Sequence, residues 1–123
     1  MSKESVKICG RSFELDIIYD CFDNEEVLPE QKESAATFLK NSRIFDGIEK
    51  HVEAYIISST GNNDFVIDNI FKYIMPTSIY IPRTRSMEAA LFCDYKFDAE
   101  NGIAILFENE KFKEIVPQDK ILW

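Results

Sequence analysis

The chain has 123 residues, 46% of them hydrophobic and 13% aromatic, with 22 acidic and 14 basic side chains giving a formal charge of −8. That much apolar surface in a chain of this length specifies a single domain spanning residues 1–123 around one core, and excludes a disordered linker. The acidic balance excludes nucleic-acid binding, which needs a basic stripe against phosphates, and repels an anionic membrane.

In chain order, residues 6–8 and 13–18 are β-favouring runs on either side of Gly10. Phe13, Leu15 and Ile17 alternate with Glu14 and Asp16, which predicts an N-terminal hairpin. Residues 20–26 lack an apolar period and read as an exposed acidic loop. Pro29 then suits the first position of a helix, Glu30 and Glu33 place negative charge in its first turns, and Ala35, Phe38 and Leu39 carry its period to near Asn41. Ser42 can cap a second helix in which Ile44, Phe45, Ile48, Val52, Tyr55 and Ile56 recur at three- and four-residue steps. Ile67, Ile70, Phe71 and Ile74 keep the same period up to Pro76 and predict a third helix.

From Ser78 onward the runs 79–81, 89–97, 103–107 and 112–116 favour strands. Hairpin turns at 99–102 and 108–111 fold the last three into an antiparallel meander, and residues 121–123 could add a short edge. The expected architecture is α+β: an N-terminal hairpin, three helices, then a C-terminal antiparallel β-meander, with the helices packed on one face of the sheet. The other face or an edge is then open to a second chain.

Little in the sequence points to catalysis. The single histidine, His51, sits in the second helix with no nucleophile motif to serve, and reads as a flank of a packed helix. Asp94, Asp98, Glu100 and Asn101 form a carboxylate-rich cluster, but their spacing misses an EF-hand loop, and Asp98 and Asn101 before Gly102 suit a turn. Arg83 and Arg85 are the one close pair of arginines and read as a solvated loop that blunts an edge strand. Cys9, Cys21 and Cys93 are an odd number without a CxxC pair, which predicts free thiols. With neither a signal-peptide pattern nor eighteen consecutive apolar residues, a cytoplasmic location is expected. No catalytic residue, metal or cofactor is expected.

The charge is unevenly placed. Residues 14–33 hold Glu14, Asp16, Asp20, Asp23, Glu25, Glu26, Glu30 and Glu33 against one base, Lys32. A field of this sign steers a basic protein toward it, so Asp16, Asp20, Asp23, Glu25, Glu26 and Glu30 are the expected partner-binding residues. The plainer reading is that the stretch only confers solubility.

Three C-terminal segments carry a resemblance. They are the run Pro76-Thr77-Ser78-Ile79-Tyr80-Ile81-Pro82, the segment from Ala90 to Phe107 containing Cys93, Asp98, Glu100, Asn101 and Gly102, and Gln118-Asp119-Lys120-Ile121-Leu122. Together they resemble an uncharacterised bacterial family whose members look like neighbours of polymorphic toxins and contact-dependent growth-inhibition systems. Phe97 stands where the family pattern favours Trp, and Asn101 where it favours His. The resemblance covers about the last 48 residues and implies an immunity protein that neutralises a cognate toxin, with a basic nuclease-type toxin as the expected partner. Two other readings stay open: a small metal-dependent hydrolase built on Asp94, Asp98 and Glu100, and a homodimeric scaffold. Whether the chain is monomer or dimer is also open.

Overall fold

The structure is a computed structural model that describes residues 3–21, 25–61, 67–83 and 87–120. Strands β1 (Lys3–Ile8) and β2 (Arg11–Tyr19) pair antiparallel around a two-residue turn. Cys9 and Gly10 in that turn have φ of 49° and 83°. Two left-handed residues in succession give a turn whose twist matches the strands it joins. Along β2 Leu15 and Ile17 are buried while Glu14 is exposed and Asp16 half-buried, so the two-residue period assigns one face to the core.

The chain then leaves the sheet for its helices. α1 (Pro29–Lys40) starts on the proline, whose missing N–H costs nothing at a helix start. Gln31, fully buried, fixes the entry: its Oε1 accepts from the Leu28 N–H at 2.9 Å. Its Nε2 donates to the Asp20 carbonyl at 3.0 Å and to the Ile81 carbonyl at 3.2 Å, which ties the helix to the ends of two neighbouring strands. A 3-10 segment, Ser42–Ile48, leads into α2 (Glu49–Thr60), which stops at Gly61 with φ of 68°. Phe45, Ile48, Val52 and Ile56 are all buried, so the apolar period continues through the change of helix type.

The expected third helix is absent from the described residues. Residues 62–66 lie outside them, and the remainder has one 3-10 turn, Ile70–Lys72, before β3 (Ile74–Ile81) begins. Asn69 accepts from the Phe71 N–H at 3.0 Å and closes that turn, while Ile74 pairs with Tyr95 across the sheet. The four apolar residues fit a helical spacing, but cross-strand pairing of the β-branched Ile74 draws the last of them into a strand. Pro76 lies inside β3 instead of ending a helix. β2 pairs with β3 only from Ser78 onward, so the absent N–H of Pro76 interrupts no ladder there.

β4 (Glu88–Tyr95), β5 (Ile103–Glu108) and β6 (Lys111–Pro117) complete the chain as an antiparallel meander, with Asn109 and Glu110 left-handed in the last turn. Residues 121–123, a possible further edge, lie outside the described residues. Among the described residues all six strands form one sheet in the order β1-β2-β3-β4-β5-β6, mixed because β2 and β3 run parallel. This corrects the expected layout on two points: α1 and α2 are the helices beyond 3-10 segments, and hairpin and meander are one continuous sheet. The fold remains α+β. No described helix is long and apolar enough to cross a membrane.

Both helices pack on one face. There Phe38 of α1, Phe45 before α2 and Phe107 of β5 meet with ring centroids 5.2 to 6.0 Å apart, all essentially inaccessible. Such offset and edge-on aromatic contacts add to the apolar burial. The helical layer is held to the strands by this triad at one end and by Gln31 at the other.

Replacing Gln31 by Leu keeps the volume but leaves the Leu28 N–H and the Asp20 carbonyl without the amide. Urea unfolding is expected to show a loss of about 2 kcal/mol, the cost of orphaned buried polar groups. A loss under about 0.5 kcal/mol would mean water satisfies them equally well.

Candidate functional site

The sheet face away from the helices is a continuous surface that follows from the pairing registers. In one row lie Lys3, Asp16, Ser78, Phe92, Ala104 and Val116, and in the next Ile18, Tyr80, Ala90, Leu106 and Glu114. Ala90, Ala104 and Leu106 form a small apolar cluster, 0 to 2% exposed, beneath the part-exposed Tyr80, Phe92 and Val116. The Tyr80 and Phe92 rings stack, 5.2 Å between centroids and 8° from parallel. Burial pushes the Tyr80 hydroxyl up to about 12, with a further contribution from the charge and hydrogen bond of Asp20.

Carboxylates surround this strip. Glu14, Asp16, Glu88, Asp94 and Glu114 share this face with Lys3, Lys7 and Lys111, and none of the five makes an ion pair among the described residues. Glu88 stands directly opposite Glu108, a like-charge pair that destabilises a bare sheet, and Glu108 is met by Lys113 at 3.5 Å. At one end the opposed pair Met75 and Asp94 also lines a cavity of about 450 Å³ with Phe71, Tyr73, Tyr95 and Lys96. Met75 and Phe97 beside it are large apolar side chains left 48% and 45% exposed. The Lys96 ammonium lies 5.7 Å over Tyr73 and 5.9 Å over Phe97.

The structure distributes the acidic segment over more than one surface. Glu14 and Asp16 belong to the open face and Asp20 to its border. Glu30 and Glu33 lie on α1 in the helical layer, and Asp23 lies outside the described residues. Between them the loop is pinned: Arg83 Nη2 pairs with Glu25 at 3.1 Å and its Nη1 donates to the Glu26 carbonyl at 2.9 Å. Arg83 therefore does not blunt an edge, since β3 is an interior strand; it neutralises part of the acidic loop. Arg85 lies outside the described residues. Sequence reasoning missed Glu88, Asp94 and Glu114 as members of an acidic face, because they lie on different strands and only the register aligns them.

The carboxylates considered for a metal do not converge. Asp94 projects on the open face, whereas Asp98 turns inward to accept from the Asn101 N–H at 3.2 Å, and Glu100 is exposed. No group of three His, Cys, Asp or Glu side chains is placed to hold a metal among the described residues. His51 is exposed and stacks on Phe112, with ring centroids 3.7 Å apart.

The residues that carried the resemblance do come together, as a structural corner. Gly102 has φ of 65°, and a Cβ there would sit 2.5 Å from the Cys93 carbonyl oxygen. Gln118 Nε2 donates to the Cys93 and Ile103 carbonyls, both at 3.2 Å, and so closes β4, β5 and the end of β6 onto one another. Cys93 is buried and its thiol is pushed well above the ordinary range, by burial first and by Asp94 second. Cys9 is pushed up to about 12, again chiefly by burial and then by the charge of Glu49. Neither thiol is an activated nucleophile.

The chain belongs to the family described as Domain of unknown function (DUF6985), whose model matches residues 1–122. No curated protein and no solved structure matches the chain.

Asp98→Ala removes the bonds that order its turn and is expected to lower stability by about 1 kcal/mol, with melting temperatures of both proteins indifferent to millimolar calcium or magnesium. A calcium-dependent rise in the parent that the variant lacks would establish a metal site. Alkali should act on Cys9 and Tyr80, whose ordinary values are 9.0 and 10.0. Above about pH 9 the unfolded chain releases these protons while the native state keeps them, so native stability falls as pH rises toward 12. The urea midpoint is expected to be level from about pH 7 to 8.5 and to decline from about pH 9 to 11; a level midpoint throughout would show the two groups to be solvated.

Proposed function

We propose that this chain acts by binding a basic protein, as an immunity-type partner that neutralises a toxin domain. The observation that supports this reading best is the set of five carboxylates, Glu14, Asp16, Glu88, Asp94 and Glu114, on one sheet face without ion pairs among the described residues. Spread over three strands, they give the face a negative field that draws a cationic surface and raises the rate of encounter. The resemblance of the C-terminal third to toxin-associated proteins supplies the biological setting. A nuclease domain, whose own surface must attract phosphates, has the required charge.

The product of the adjacent reading frame is the partner to try first. Expressed alone it is expected to arrest growth, and co-expression of this chain to restore it, with the two proteins eluting as one complex. Between about 20 and 500 mM salt the association rate is expected to fall by about tenfold or more, since steering is screened over about a Debye length. A harmless neighbour, or a toxic one that this chain neither binds nor silences, would end the immunity reading.

A further inference from the structure

The open face is apolar at its centre as well as acidic at its margin, and those two properties have different consequences for binding. Charge at the margin governs how often a partner arrives, while burial of a central apolar anchor governs how long it stays. On this face the centre is already organised. Tyr80 and Phe92 stack against each other. An aromatic plate stacked in advance needs little further ordering when a partner covers it.

Resting on the binding reading above, we propose that this strip is the surface that retains the partner, and that its occupant is a basic protein segment presenting arginine or lysine between apolar side chains. Charge selects this occupant. A second copy of the chain laid face to face would set a face richer in carboxylates than in lysines against itself, and phosphates or anionic lipids meet the same repulsion. A cation lying over the aromatic plate, in contrast, has Asp16 in the row of Phe92 and Asp94 as the next β4 residue on that face. The apolar side chains on either side of it would cover Val116 and the outer edge of Phe92 and reach toward exposed Met75. Glu30 and Glu33, in the helical layer on the other side of the sheet, then contribute to encounter and not to retention.

The test titrates isotopically labelled protein with a short synthetic peptide in which arginine alternates with leucine, and with the same peptide carrying glutamate for arginine. The arginine peptide is expected to shift the amides around Tyr80, Phe92 and Leu106, and the glutamate peptide to shift none. Phe92→Thr, which keeps β propensity, is expected to weaken binding about tenfold, while Glu30→Gln combined with Glu33→Gln changes the Kd less than about twofold. Val116→Thr gives the same readout should Phe92→Thr fail to fold. Shifts confined to α1 and the loop at residues 25–28, with the strip variants neutral, would overturn the strip and leave a basic partner standing. Absence of saturable binding would overturn the strip too, while growth rescue by co-expression judges the immunity reading separately.

Discussion

The fold depends on how the parallel pair β2 and β3 is closed. Every other strand pairing joins strands with at most seven residues of chain between them, but these two are separated by the whole helical crossover and share only four residue pairs. At the end of that seam the carbonyls of Asp20 and Ile81 meet the start of α1, and the buried Gln31 amide satisfies them both. A side chain without that amide would leave the Leu28 N–H and the Asp20 carbonyl without this partner, at a cost that is a sizeable share of the stability of a domain this small. The seam turns a hairpin and a meander into one sheet. Because both helices of the crossover cover the same side, it also determines which face keeps its apolar centre in contact with solvent.

The two faces of the sheet solve different problems. The covered face is filled by aromatic and branched side chains around Phe38, Phe45 and Phe107, where close packing leaves no place for charge. The face that neither described helix covers holds alanines at Ala90 and Ala104, small enough for Tyr80, Phe92 and Val116 to lie over them. The outcome is a shallow aromatic surface bordered by carboxylates. The carboxylates stand apart from one another along the strands.

Gly102, Cys93 and Gln118 show how a sequence pattern can be conspicuous for structural reasons. The left-handed glycine lets a backbone carbonyl approach to within what would be a clash for any side chain, and the glutamine amide then ties that carbonyl to the next strand. Residues with such constraints look like a motif in the sequence. Their work is to close the C-terminal corner, next to the row that runs from Phe92 through Ala104 to Val116.

The sequence by itself determined whatever depends on neighbours along the chain. The hairpin around Gly10, the start of α1 at Pro29 and its end at Asn41, the buried stripe from Phe45 to Ile56, and the turns of the meander all follow from local propensity and short-range period. Only the tertiary structure decided what depends on partners far away in sequence. The stretch from Ile67 to Ile74 fitted a helical period, and it was pairing with β4 that drew Ile74 into a strand and let Pro76 continue it. The acidic segment 14–33 looked like one surface, yet a strand, a loop pinned by Arg83 and a helix divide it between both sides of the molecule. Glu88, Asp94 and Glu114, distant from that segment, became its neighbours because strand register, which no single strand encodes, sets which side chains share a face.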